Sequence, residues 1–127
     1  MLHSLRAVVL VAFLALIAPL ALHPAHAATP ATTDGVTVIH LDQYNGYFAA
    51  QETLAGLKPG KYRFVVTNKA EKMVGFQLQD GVSHAQLDMF PLEPGQTRSS
   101  EVEIGESGFR YRCPINPTPW YEVNVGA

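Results

Sequence analysis

The chain has 127 residues, with 9 lysines and arginines against 11 aspartates and glutamates, so its formal net charge is −2 at pH 7. This length is enough for one domain with a modest core, and the acidic balance argues against nucleic acid as a partner. The single cysteine, Cys113, excludes an internal disulfide bond, although exported proteins commonly pair their cysteines.

The N-terminal residues have the pattern of an export signal. Arg6 supplies a positive charge, residues 7–22 form an apolar run, and Ala-His-Ala at 25–27 offers a small-x-small cleavage site. We predict that residues 1–27 are a cleaved signal peptide and that the mature protein is periplasmic. No transmembrane segment is then expected to remain. An uncleaved membrane anchor is the alternative, which the shortness of the apolar run disfavours.

Residues 28–35 are rich in alanine and threonine and predict a flexible leader, and one domain is expected over 36–127. In that domain apolar and polar residues alternate in short runs, as in half-buried strands. The predicted strands cover 36–41, 47–54, 61–68, 74–79, 97–104, 109–113 and 121–125, whereas 82–92 is expected to be irregular. Short strands separated by Pro-Gly and Asp-Gly turns predict an all-β sandwich or small barrel.

The strand over 109–113 carries the only cysteine to its end, where a stiff loop begins. Phe109, Tyr111 and Cys113 share one face of this strand, and three of the next six residues are proline. A thiol presented in this way suits metal or redox chemistry. His84 is expected nearer the opposite end of the sandwich. Alternating strand directions predict the following side chains at the same end as the thiol, named here the Cys113 end: Asn116, Met73, Lys72, Met89, Asp42 and Tyr44.

Four segments give the chain a resemblance to cupredoxins, the small β-sandwich proteins of blue-copper type. They are Pro-Gly-Lys-Tyr-Arg-Phe at 59–64, Val-Gly-Phe at 74–76, Leu-Glu-Pro-Gly-Gln-Thr at 92–97 and Gly-Phe-Arg-Tyr-Arg-Cys at 108–113. The chain is most similar to periplasmic cupredoxin-like proteins with Cys-Pro-x-Asn-Pro-Thr-Pro after that strand, and to the cupredoxin domains of bacterial ferrous-iron uptake systems. The resemblance implies a single-domain Greek-key β-sandwich of about seven or eight mostly antiparallel strands.

A blue-copper site needs two imidazoles, a thiolate and a weak axial thioether. In cupredoxins the first histidine follows a strand-ending asparagine, and the second histidine and the methionine follow the cysteine. Here Lys72 stands at the first position, and no histidine or methionine follows Cys113. Of the four ligands of a blue-copper site, only the cysteine, Cys113, is present at the expected position. We therefore predict a softer, thioether-rich donor set, which favours Cu(I) and makes copper the expected metal, with iron as the alternative. The predicted ligands are Cys113, Met73, Met89 and His84, with His40 as a second imidazole candidate.

Each of these side chains also has a purely structural interpretation. For Cys113 the alternatives are a small buried apolar residue and an intermolecular disulfide. Methionines in a sandwich commonly fill its core, and lone histidines are commonly satisfied or at the surface. Arg110 and Arg112 mark a solvated face, or they receive an acidic partner.

Three functions follow from the sequence. The first is a periplasmic metal-binding or redox protein that assists ferrous-iron oxidation or transfer during iron uptake, next to a periplasmic or inner-membrane transport or redox protein. The second is a metal-free binding module that docks such a partner with its Cys113 end. The third is a Cu(I) carrier. The sequence has no Ser-His-Asp arrangement, paired-carboxylate site or phosphate loop that would indicate catalysis on an organic substrate.

Overall fold

The computed structural model describes residues 28–126, so the predicted signal peptide lies outside the described residues. Every regular element in this range is a β-strand, and no helix there has the length and apolarity to cross a membrane. The strands are β1 (Thr32–Thr33), β2 (Val36–Gln43), β3 (Phe48–Ala50), β4 (Gly60–Asn68), β5 (Val74–Asp80), β6 (Gln86–Leu92), β7 (Thr97–Ile104), β8 (Phe109–Arg112) and β9 (Tyr121–Val123).

The strands form two sheets that enclose one core. The first sheet has the order β1-β2-β4-β7, with β3 also paired to β2, and the second has the order β6-β5-β8-β9. β2 and β4 run parallel, and every other described pair is antiparallel. The chain changes sheet after β4, after β6 and after β7. This arrangement confirms the predicted all-β, cupredoxin-like β-sandwich.

Alternation along β4 shows why these sequences form the sandwich. Tyr62, Phe64 and Val66 are buried, whereas Lys61 and Arg63 are exposed. Successive side chains of a strand point to opposite faces, so β4 gives its apolar face to the core and its charged face to water. Full burial of one such side chain stabilises the fold by about 1.5–3 kcal/mol.

Phe76 of β5 lies at the centre of the core. Its ring centroid is 6.2 Å from that of Phe48, 6.0 Å from Phe64, 5.4 Å from Phe90 and 6.1 Å from Tyr111. Phe48 and Phe64 belong to the first sheet, and Phe90 and Tyr111 to the second. The Phe76 side chain, which is fully buried, therefore joins the two sheets.

Two segments differ from the sequence prediction. Residues 86–92, expected to be irregular, form β6 at an edge of the second sheet. Pro91 interrupts the strand pattern of the sequence, but an edge strand tolerates a proline because one side of its backbone has no partner. Residues 28–35, predicted as a flexible leader, contain β1, which pairs with β2. Residues 28–126 thus contain nine strands, where about seven or eight were expected.

Candidate functional site at the Cys113 end

Cys113 follows the last residue of β8 and is fully buried. The backbone N–H of Gly75 donates a hydrogen bond to its Sγ at 3.3 Å. Its own N–H donates to Oγ1 of Thr118 at 3.2 Å, and that hydroxyl donates to the carbonyl of Pro119 at 3.0 Å. Cys113 is thus joined to β5 through its thiol and to its own proline-rich loop through its backbone N–H.

A buried glutamine links the two sheets beside this thiol. Gln43, at the end of β2, donates from Nε2 to the carbonyl of Gly75 at 3.0 Å and accepts from the N–H of Asn45 at 2.7 Å. The Gln43 side chain has no solvent exposure. The residue that donates to Cys113 is therefore itself fixed through its carbonyl oxygen.

Asn68, at the end of β4, organises the loop that precedes β5. Its Nδ2 donates to the carbonyls of Lys72 and Leu92 at 2.8 and 3.0 Å, and its Oδ1 accepts from the N–H of Ala70 at 2.8 Å. Within residues 28–126 no buried side-chain nitrogen or oxygen lacks a partner. Gln43 and Asn68 therefore position the backbone at this end with their side-chain amides.

The predicted donor Met89 lies on the face of the second sheet that points away from Cys113. Met89 and Arg112 are both cross-strand partners of Gln77, so these three side chains share the outer face. Cys113 is the next residue after Arg112 and points to the core. Met89 is half exposed, at 49 %.

Met73 and the two histidines occupy different places. Met73 is half exposed in the loop before β5, at the Cys113 end. His84 lies in the turn after β5, where its N–H donates to the carbonyl of Asp80. Asp80 pairs with Phe109 at the start of β8, so His84 is separated from Cys113 by the length of that strand, about 13 Å. His40 contacts Glu52, with 2.5 Å between Nδ1 and Oε1.

The turn that holds His84 is stabilised locally by Asp80. The backbone N–H of Ser83, the N–H of Val82 and the Ser83 hydroxyl all donate to Oδ1 of Asp80. These hydrogen bonds, that of the Ser83 amide first, hold the pKa of Asp80 below its ordinary value. His84 has a φ of 60° in this turn, and its environment is that of a surface loop.

The predicted ligands therefore do not converge on one point. Met73 shares the Cys113 end with Cys113, Met89 lies on the outer face, and His84 lies at the opposite end. Among the residues that the structure describes, no group of three or more His, Cys, Asp and Glu side chains could hold a metal ion. The donors present do not fit a blue-copper site, which needs two imidazoles beside the thiolate.

Exposed apolar side chains surround the Cys113 loop. The rings of Tyr44 and Tyr47, in the β2–β3 hairpin, stack with centroids 4.9 Å apart. Nδ2 of Asn116 donates to Oδ1 of Asn45 at 2.9 Å, which ties this hairpin to the Cys113 loop. We name as the end surface the four exposed apolar side chains here: Tyr44, Tyr47, Met73 and Ile115, with exposures of 39 %, 54 %, 45 % and 47 %.

Sequence reasoning placed Tyr44 and Met73 at this end but missed Tyr47 and Ile115. The available signal for Ile115 was its place in a loop of prolines, where a large apolar side chain has no strand to bury it. Tyr47 was assigned to a longer second strand. In the structure β3 begins only at Phe48, which leaves Tyr47 in the exposed turn.

Comparison with known proteins gives a distant structural alignment and no family. No protein-family model and no curated protein matches the chain. Among solved structures, the crystal structure of a multicopper oxidase aligns with a TM-score of 0.46 and 12 % sequence identity. The alignment covers 77 % of this chain and 46 % of that one, so this chain spans less than half the length of that protein.

Proposed function

We propose that this chain is a periplasmic binding module, in which a cupredoxin-like scaffold docks a periplasmic or inner-membrane protein through its end surface. The observation that carries the proposal is the distribution of exposed large apolar side chains. Of the six in the described part of the chain, four form the end surface, and Met89 borders it from the outer face. Only Val82 lies at the opposite end. Apolar patches of this kind mark interaction sites.

Local contacts also order the end surface. The hydrogen bond between Asn45 and Asn116 joins its two halves, and the stacked tyrosines order the hairpin. Prolines limit the conformations of the Cys113 loop. A preorganised surface loses little conformational entropy on binding, which increases affinity at a given buried area.

Site-specific photocross-linking in cells tests this function. A photoreactive amino acid at position 47 or at position 115 should capture one and the same envelope protein, identified by mass spectrometry. The matched control is position 82, because Val82 is exposed at 72 % at the far end. Ile115→Glu should reduce capture from position 47 by about tenfold or more, since a buried charge opposes docking.

The folded state should be unaffected by these changes. A substitution at an exposed position alters the free energy of unfolding by less than about 0.5 kcal/mol, so the melting temperatures of the variants should agree. Capture that is equal from positions 47, 115 and 82 would contradict the proposal, because it would show random collision. So would capture of unrelated proteins from positions 47 and 115.

A second candidate is a metal function of the thiol, either Cu(I) carriage or a redox role with copper or iron. The supporting observation is the N–H of Gly75 donating to Sγ of Cys113. Met73 lies two residues before Gly75 in the sequence and carries a thioether. A thiolate together with a thioether suits Cu(I). The absence of imidazoles beside Cys113 in the described chain leads us to expect no blue Cu(II) colour.

Thermal unfolding with Cu(I) tests the metal function. If Cys113 binds Cu(I), the metal at 100 times its dissociation constant should stabilise the fold by about 2.7 kcal/mol. Cys113→Ser should abolish that gain, and Met73→Leu should weaken it. Met89→Leu is the control, because Met89 lies on the other face of the sheet. A melting curve that Cu(I) leaves unchanged in the parent protein would eliminate Cu(I) binding by the thiol.

A further inference from the structure

The outer face of the second sheet carries two arginines that other side chains hold in place. Nε of Arg110 donates to Oε1 of Gln79, and Nε of Arg112 donates to Oε1 of Gln77, both at 2.9 Å. The guanidinium carbons lie 3.9 and 4.4 Å from the ring centroid of Trp120. We name Arg110, Arg112 and Trp120 the arginine–tryptophan array. Its guanidinium groups are partly desolvated and preorganised.

The array has no acidic partner among the described residues. The ion pairs there are His40–Glu52 and Arg63–Glu101, and each array arginine hydrogen-bonds only through Nε. A guanidinium has five N–H donors, so both forks keep their remaining donors for another molecule. Glu122, the cross-strand neighbour of Arg110, is the nearest acid by register, but it forms no ion pair with it.

An apolar groove continues the array toward the Cys113 end. It has a volume of about 180 Å³ and is lined by Met89, Phe90, Pro91, Pro114 and Ile115 over Gly75. Gly75 forms the floor of the groove. A larger residue there would overlap Pro114, because its Cβ would lie 2.9 Å from the Pro114 Cδ. Gly75 and Gln77 are successive outward-facing residues of β5, and Gln77 pairs with Arg112. The groove, at the level of Gly75, therefore lies one outward-facing position beyond Arg112.

We propose that the array and the groove together bind an extended acidic segment of a partner protein, with the pattern acid-x-acid-x-apolar. Same-face residues of a strand are about 7 Å apart. Alternate carboxylates of an extended segment therefore have the spacing of Arg110 and Arg112, and the next same-face residue reaches the groove. This inference rests on the proposed binding function and assigns the chemistry of the partner.

A carboxylate-bearing peptide fits these observations better than an anionic membrane. The guanidinium fork matches a carboxylate in bidentate geometry, and both arginines are fixed at defined positions. Membrane surfaces instead attract clusters of four to eight flexible basic residues. Here only two arginines face outward together, on a chain with a net charge of −2.

Trp120 is the only tryptophan of the chain, so its fluorescence reports on the array directly. Protein expressed from the 127-residue sequence is titrated with acetyl-Glu-Ser-Glu-Ser-Leu-amide and with the same peptide carrying glutamine in place of glutamate. The acidic peptide should give a saturable change, and the glutamine peptide should give none. Arg112→Gln should weaken binding by about tenfold or more.

Three further variants separate fork recognition from general charge attraction. Arg112→Lys keeps the charge but loses the fork, and should also weaken binding. Arg63→Gln removes an exposed arginine from the first sheet and should leave binding unchanged. Glu122→Gln removes the nearest acid and should strengthen binding. Equal losses in Arg63→Gln and Arg112→Gln, or absence of peptide binding, would overturn the inference. Arg112-dependent binding to phosphatidylglycerol vesicles without peptide binding would overturn it in favour of a membrane.

The experiments distinguish failure of the docking function from failure of the acidic-segment proposal. If capture from positions 47 and 115 persists while the acidic peptide does not bind, the docking function stands and this assignment of its partner is wrong. If the peptide binds through Arg112 but nothing is captured from positions 47 and 115, the end surface is not the docking site. Capture that Arg112→Gln reduces would link the two surfaces to one partner.

Discussion

Replacing Phe76 by alanine should lower the free energy of unfolding by about 3–5 kcal/mol, the usual cost of deleting a buried phenylalanine. Phe76 contacts four aromatic rings from both sheets, so the cavity cannot close by movement of one strand. Small domains have a total stability of about 5–15 kcal/mol, so the variant should lose a large part of its stability. Urea denaturation followed by circular dichroism measures the loss.

Phe90→Ala is the matched control for this prediction. Phe90 lies on the edge strand β6, contacts the ring of Phe76 and is covered by the guanidinium of Arg98 at 4.8 Å. Its site can relax toward solvent, so its loss should be clearly the smaller. Equal losses in the two variants would show that Phe76 is not the central contact between the sheets.

Gly108→Ala should be the most damaging glycine substitution in the described chain. Gly108 has a φ of +70°, and a Cβ there would lie 2.3 Å from the carbonyl oxygen of Val123. The left-handed conformation costs a residue with a Cβ about 1–2 kcal/mol, and overpacking costs about 1–3 kcal/mol more. The affected atom is backbone of β9, so the start of β8 and its pairing with β9 must shift.

Gly95→Ala isolates the steric part of this effect. Gly95 has a similar φ of +77°, but nothing lies within 4 Å of its Cβ position. Gly95→Ala should therefore lower the free energy of unfolding only by the cost of the left-handed conformation. The difference between the two variants in urea denaturation then measures the overlap with Val123. No difference between them would mean that β9 moves aside without cost.

Much of the sandwich was predictable because alternation reports burial directly. Tyr62, Phe64 and Val66 occupy alternate positions of one predicted strand, and the structure buries all three. The same logic put Phe109, Tyr111 and Cys113 on one inward face, and they are buried together. Strand direction, counted from turn to turn, correctly put His84 far from Cys113.

The arrangement of the predicted ligands was less predictable, because it depends on register. A shift of one residue moves a side chain to the other face of a sheet, and 82–92 gave no pattern from which to choose. Met89 lies opposite Gln77, which places it on the outer face. A bulge between Leu78 and Gln79 alters the pairing there, and no turn residue in the sequence indicates it.

The proline of β6 has a consequence for how any partner can attach. Pro91 has no N–H, and β6 is an edge of the second sheet, where another chain could otherwise extend the hydrogen-bonded ladder. Strand addition is a common mode of peptide capture that relies on main-chain bonds and tolerates many sequences. Because Pro91 removes a main-chain donor from this edge, strand addition there is disfavoured, and selection at this side of the molecule depends more on side chains and therefore on the sequence of the partner.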